Sequence, residues 1–369
     1  MKLVKVEDLK IGMRLANCVY NSNGVLLYER GNGLVAAALN ALQNSDCYGV
    51  YVLDPTEPVP PMTEGELEFE RQQSVQWPKL KQNLDSIISG NPFSELDPLV
   101  NEIVTTSLKQ QQAISFFQTV RGPSDQLYKH TLNVASIACM IANKMNFSPA
   151  DMYAITFAAI IHDIGKLYAD PEILFKPSTL TKEELESVRS AERKGYDLIT
   201  KNSSVPSSIR RYIVQFNQHS INKTKGADDN DIDFDKYLLG TKILKTADVF
   251  DLMTSFRVYK DPTSIYSTVC YMMSSPKLYS PEVVHALAEC IQVLPAGACV
   301  ELMSGKTALV LSENKADLRK PTLLIFDTNS IVDLSHSTEV GMQIKDILKN
   351  YDHRVKMDMN SLNQNKSLV

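Results

Sequence analysis

The chain has 369 residues, room for two to three domains at about 150 residues each, and its 44% hydrophobic and 22% charged residues are the balance of a globular protein with a sizeable core. A formal charge of −5, from 38 Lys and Arg against 43 Asp and Glu, argues against non-specific nucleic-acid binding, which needs a basic surface. The longest apolar stretch is about ten residues where a membrane span needs about 20, the start Met1-Lys2-Leu3-Val4-Lys5 lacks a signal-peptide apolar region, and the six cysteines form no C-x-x-C pair, so the expectation is a cytoplasmic protein without a cysteine zinc site.

Residues 1–54 read as a small α/β unit. Val19-Tyr20 and Val25-Leu26-Leu27-Tyr28 flank Asn21-Ser22-Asn23-Gly24, and an Asn-Gly pair supplies the positive φ angles of a tight hairpin turn. Leu34 to Leu42 predicts a helix and Tyr48 to Leu53 a strand. Four prolines between Asp54 and Pro61 make 55–62 a semi-rigid linker.

Residues 63–295 are predicted to be largely helical. Thr63 to Arg71 is charged and expected to be exposed, while Asn83 to Ile88 and Leu99 to Val120 carry apolar residues at helical spacing. Gly122-Pro123 breaks the pattern, and His130 to Met145 is apolar on most faces, as a buried helix is. Ser148-Pro149-Ala150-Asp151 starts a helix running to Ile161, Thr181 with Glu184 starts another, and Lys242 to Ser255 predicts a third. Asn222 to Asp235 reads as an exposed acidic loop, since its five aspartates lack the glycine and closing glutamate of a calcium loop. From 296 to 355 short β-rich runs (Ala298 to Leu302, Thr307 to Leu311, Pro321 to Phe326) predict a small β extension with a tail helix near Val340 to Leu348, and 356–369 is expected to be a disordered tail.

The segment with most chemistry in it is His162-Asp163-Ile164-Gly165-Lys166. An adjacent His-Asp pair at a helix end offers an imidazole nitrogen and a carboxylate oxygen to one cation. His130 upstream and Asp248 downstream both lie in apolar-rich segments, where an unpartnered polar group is costly. Together they supply two histidines and two carboxylates, a donor set suited to Mn, Fe, Zn or Mg. Only six histidines are available in the chain, which caps any larger centre.

This arrangement resembles the H…HD…D set of the HD metal-dependent phosphohydrolase superfamily. Its flanks resemble the HD-GYP family of cyclic di-GMP phosphodiesterases. The segments that carry the likeness are Tyr128-Lys129-His130-Thr131-Leu132-Asn133, His162 to Lys166, Pro171-Glu172-Ile173-Leu174, Gly195-Tyr196 and Ile243 to Asp251. Asp8 to Ala16 is similar to the small domain that precedes such modules, and Pro295 to Leu302 to their C-terminal β extension. The resemblance implies a mainly α fold: an HD-type helical bundle at 63–295 with a small N-terminal α/β domain and a small C-terminal β extension. It implies that His130, His162, Asp163 and Asp248 hold metal. It further implies that Asp163 and Lys166 are catalytic, and that Lys166, Arg257 and Lys260 bind substrate phosphate by charge complementarity.

The departures are specific. Ala191 stands where the family carries a histidine, Phe216-Asn217-Gln218 where it carries His-His-Glu, and Gln126 where some members carry a glutamate, and no Gly-Tyr-Pro follows in 222–235. His219, beside the lost pair, reads as a solvent-exposed histidine, with a stand-in ligand as the other reading; His285, His336 and His353 read as structural or surface residues. The expectation is one divalent metal ion and an enzyme acting on cyclic di-GMP or another phosphoester nucleotide. The alternative is a catalytically inactive nucleotide sensor or a module that docks a signalling partner.

Overall fold

The computed structural model describes residues 2–20, 25–43, 49–53, 59, 62–110, 112–114, 121, 125–176, 178–224, 236–255, 262–314 and 316–348. The chain begins with strands β1 (Lys2–Lys5), β2 (Arg14–Leu15), β3 (Val19–Tyr20) and β4 (Leu26–Tyr28), helix α1 (Ala36–Gln43) and strand β5 (Gly49–Leu53). β1, β5 and β2 form an antiparallel sheet in that order, with Val4 opposite Val50, and β3 pairs with β4 as the hairpin reading expects. The hairpin's turn lies outside the described residues. Leu9, Leu15, Leu34, Ala38, Leu42 and Val52 fill a small core of this unit.

Helix α2 (Glu64–Ile88) then runs for 25 residues, joining two stretches that the sequence reading kept apart. Its start is not simply exposed. Thr63 caps the helix, Thr63 N donates to Glu66 Oε2 at 2.7 Å, and Glu66 is buried by that reciprocal capping box. Helix α3 (Asp97–Lys109) is shorter than its apolar spacing suggests. Beyond it Ile114 is extended and exchanges backbone hydrogen bonds with the strand-like stretch around Ile291, which satisfies its peptide groups without a helix.

The helical layer is completed by α4 (Gln126–Lys144), α5 (Pro149–Ile161), a 3-10 turn (Ile164–Tyr168), α6 (Pro171–Leu174), α7 (Lys182–Thr200), α8 (Ser207–Thr224), α9 (Leu239–Thr254), α10 (Ile265–Met273) and α11 (Pro281–Cys290). α4 is the central member. Every residue from Leu127 to Ala142 except Lys129 is buried, and α2, α3, α5, α9 and α11 pack on it. Ser148 and Thr181 cap α5 and α7 as their sequences predict. Among the described residues no helix is long and apolar enough to cross a membrane.

Strands β6 (Cys299–Leu302), β7 (Thr307–Ser312), β8 (Thr322–Ile325), β9 (Ser330–Asp333) and β10 (Ile344–Ile347) make an antiparallel sheet in the order β10-β6-β7-β8-β9. The expected tail helix is absent: Val340–Met342 is one 3-10 turn, and Ile344 pairs with Leu302 on the edge of β6. The open edge of β6 offers unpaired peptide groups, and pairing with them outweighs a weak local helix preference. Val300, Leu302, Val310, Leu323 and Ile325 join the same core as the helices. The mainly α architecture with small terminal sheets is the one expected.

Candidate metal centre

Three helices bring the polar side chains together inside the apolar bundle. α4 supplies His130 from its second turn. α5 ends at His162, and Asp163 (φ −109°, ψ 12°) breaks the helix so that its carboxylate turns back toward the imidazoles. α9 supplies Asp248 from the neighbouring face. The turn after α5 is held at backbone distance from α7: a Cβ on Gly195 would lie 2.3 Å from Gly165 Cα, and one on Gly165 would lie 2.7 Å from Glu192 Cα. Only paired glycines let these two segments approach so closely.

The donor atoms converge. His130 Nε2 is 3.2 Å from Asp248 Oδ1 and 3.5 Å from Asp163 Oδ2. His162 Nε2 is 3.5 Å from Asp163 Oδ2 and 3.7 Å from Asp248 Oδ1. The ligand-type atoms of His130, His162 and Asp163 all lie within 4.8 Å of one another. Both Nε2 atoms are buried and neither has a hydrogen-bond partner. A buried, unpartnered imidazole nitrogen is costly, so the pair fits a site completed by a cation. Lys166 Nζ rests on Asp163 Oδ2.

The opposite ring nitrogens are both anchored. His162 Nδ1 donates to the Ala159 carbonyl oxygen at 2.6 Å; a carbonyl can only accept, so Nδ1 carries a proton and Nε2 is the ring nitrogen turned toward the carboxylates. His130 Nδ1 lies 2.7 Å from Asp251 Oδ2. Asp251 is fully buried and also receives Arg121 Nη1 at 2.7 Å, Arg121 Nη2 at 2.5 Å and Asn133 Nδ2 at 3.0 Å.

The electrostatics follow from this geometry. Burial alone would lower the His130 pKa, but Asp163, Asp248 and Asp251 outweigh it and push the imidazole up to about 10. Burial would raise the Asp248 carboxyl, yet His130 and His162 hold it down at about 2. Asp163 is likewise held well below the usual carboxylate range, burial being outweighed by Lys166, His162 and His130. Lys166 stays above its ordinary value because Asp163 and Asp248 outweigh burial.

Of the residues singled out from the sequence, His130, His162, Asp163, Lys166 and Asp248 meet at this one place. Arg257 and Lys260 lie outside the described residues, as do the side chain of His219 and residues 225–235 of the acidic segment; Asn222 to Thr224 belong to the end of α8. The substituted positions offer no donor here. Ala191 is buried on α7 beside Gly165. The Phe216 ring sits edge-on to His162 with centroids 5.3 Å apart. Asn217 Nδ2 donates back to Ile213 of its own helix at 2.9 Å, and Gln218 is exposed. Sequence reasoning missed Asp251, Asn133 and Arg121. The first two had a signal, standing three residues after Asp248 and His130 on their helices. Arg121, beside Gly122-Pro123, had none.

Comparison with known proteins matches residues 127–253 to the family model described as HD domain. A cyclic di-GMP phosphodiesterase of Pseudomonas aeruginosa is 24% identical over 229 residues, covering 62% of this chain and 54% of that protein. A cyclic di-GMP phosphodiesterase of Thermotoga maritima is 32% identical over 165 residues, 44% of each chain. A 3'3'-cGAMP-specific phosphodiesterase of Vibrio cholerae is 27% identical over 182 residues, covering 49% of this chain and 39% of that one. The chain thus spans about half the length, or less, of these curated relatives. Among solved structures, an HDG"Y"P protein from Bdellovibrio bacteriovorus aligns with 78% of this chain and 97% of its own at 14% identity and a TM-score of 0.45.

Proposed function

We propose, from the HD-domain match over residues 127–253 and the cyclic dinucleotide phosphodiesterases among the relatives, that this chain is a metal-dependent phosphodiesterase of a cyclic dinucleotide of the HD-GYP type, with cyclic di-GMP as the first substrate to test. The observation that carries the reading is the pair of buried, unpartnered Nε2 atoms of His130 and His162 facing the oxygens of Asp163 and Asp248. These four side chains would hold one divalent ion. A single ion is favoured because Phe216, Asn217 and Ala191 bring no further donor to the cluster.

A divalent ion in such a site supplies Lewis acidity and lowers the pKa of water. The chain's own residues do the rest. Asp163 and Asp248 remain anionic at neutral pH and fix the charge of the site. Lys166 remains an ammonium and can leave its contact with Asp163 Oδ2 to meet a phosphate oxygen. Arg257 and Lys260 are proposed to hold the second phosphate. The bundle around α4 excludes bulk water, which strengthens each of these charge interactions. The described cysteines Cys18, Cys139, Cys270, Cys290 and Cys299 are free thiols, in keeping with a reducing cytoplasm.

The lack of a second ligand set favours one other reading: a nucleotide sensor on the same fold. Purified protein incubated with cyclic di-GMP and Mn or Fe separates them. A linear dinucleotide product, with about one ion per chain by elemental analysis, is expected. Nucleotide binding without product at high protein concentration would leave the sensor.

A further inference from the structure

The two histidines of the cluster are supported differently, and the difference points to a residue outside the ligand set. His162 leans on a neutral peptide carbonyl. His130 leans on a carboxylate that has no exposure to solvent at all. We infer that Asp251 is the positioning residue of the metal centre, holding His130 by its Nδ1 so that Nε2 faces the cation, and that Arg121 and Asn133 lock Asp251 in turn. The inference rests on the reading that His130 is a metal ligand.

The Asp251 carboxylate is saturated with donors. A carboxylate has two oxygens, and here Oδ2 meets His130 Nδ1 and Arg121 Nη1, both at 2.7 Å, while Oδ1 meets Arg121 Nη2 at 2.5 Å and Asn133 Nδ2 at 3.0 Å. Four donors from three residues leave the carboxylate a single orientation. The Arg121 fork is bidentate and itself buried, so it supplies a fixed counter-charge rather than a surface pair. Asn133 lies one turn beyond His130 on α4, and Asp251 one turn beyond Asp248 on α9. The same two helices therefore carry a ligand on one turn and a member of the supporting network on the next.

An anionic acceptor behind an imidazole does two things that a carbonyl does only in part. It fixes the tautomer with the proton on Nδ1, and it raises the electron density that Nε2 offers to a cation. The buried polar network would otherwise be hard to explain. An arginine and an aspartate taken out of water gain little over a well-packed apolar pair. A task at His130 accounts for them.

The test uses the full-length protein, with Zn²⁺ or Mn²⁺ affinity measured by chelator competition and folding followed by thermal melting. Asp251→Asn is expected to bind the ion about 10–100-fold more weakly. It will also melt earlier, because Arg121 loses its counter-charge. The double variant Arg121→Gln with Asp251→Asn removes that unpaired charge. It should regain most of the melting temperature and none of the metal affinity. Wild-type affinity in either variant would overturn the positioning role and leave the metal reading intact. A wild-type protein that binds no ion would overturn the metal reading, and this inference with it, so the two failures are distinct.

Discussion

The helical bundle and the C-terminal sheet share one apolar core, yet they treat polar groups in opposite ways. Among the described residues the bundle buries His130, Asn133, Thr156, His162, Thr246, Asp251 and Thr268, with Arg121 in the segment just before α4. Between Cys299 and Leu348 no described polar or charged side chain is buried. There the buried positions are Val300, Leu302, Ala308, Leu309, Val310, Leu323, Leu324, Ile325, Leu334 and Ile344. The sheet is built as stability requires, and the bundle carries a cost that stability alone does not explain. Among the described residues polar burial is thus a feature of the helical part, where His130, His162, Asp251 and Arg121 gather around one point while Glu66, Gln73 and Gln76 on α2 and Ser107 on α3 are buried elsewhere.

That contrast can be broken from either side. Asp163→Ala should have the largest effect. It removes a carboxylate that faces both Nε2 atoms and pairs with Lys166, and metal content should fall to background. If the ion provides several kcal/mol of transition-state stabilisation, hydrolysis falls on the order of 10³-fold. Elemental analysis and product chromatography check both. The melting temperature of the metal-free protein should change far less than that of a core variant. Leu323→Ala is the converse. It empties a fully buried site in the sheet and should cost about 2–5 kcal/mol in urea unfolding, with metal affinity unchanged while the protein is folded. A Leu323→Ala protein that loses metal would show that the sheet supports the site after all.

Gly195→Ala probes the boundary between the two effects. Its Cβ would fall 2.4 Å from Gly165 N, backbone against backbone, so the turn that carries Asp163 and Lys166 must shift. Overpacking of this kind costs about 1–3 kcal/mol of stability. Moving a support of the ligands should also lower metal affinity about tenfold. Melting curves and chelator competition read the two together. A loss of stability with full affinity would mean that the close approach serves packing only.

The helix starts at Ser148 and Thr181 were legible because capping is local chemistry, settled within four residues. The meeting of His130, His162, Asp163, Lys166 and Asp248 was legible only through the family resemblance that their ordered motifs carry, since they come from α4, the end of α5 and α9 and no spacing along one helix joins them. What escaped was non-local. The pairing of Ile344 with Leu302 depends on an edge about 40 residues away, and a window over Val340 to Leu348 does not contain it. The extended backbone at Ile114 likewise depends on Ile291. Buried Glu66 looked exposed because its charge was read without its capping partner Thr63. Arg121 is the clearest case: its role exists only through Asp251, 130 residues downstream.

The smallest expected effect concerns protons, and it separates the two regions once more. In the metal-free protein three carboxylates surround His130 and push its pKa from the ordinary 6.5 up to about 10. The added proton would be on Nε2, the atom that otherwise faces a cation, with the Asp163 and Asp248 oxygens 3.5 and 3.2 Å away. A folded-state pKa above the unfolded value adds stability that is complete below about 6.5 and is lost as pH rises through about 10. Each pH unit inside that window is worth up to about 1.4 kcal/mol. The metal-free protein should therefore melt progressively earlier between pH 7 and pH 10, while the metal-loaded protein, which no longer needs that proton, should hold its melting temperature better. The same competition requires that binding release about one proton and that affinity rise up to about tenfold per pH unit. Calorimetric titrations in two buffers of different ionisation enthalpy measure the proton count. A count of zero would mean that His130 is already neutral in the metal-free protein. Leu323→Ala should leave the pH slope untouched, because the carboxylates that raise His130, Asp163, Asp248 and Asp251, all belong to the helical part.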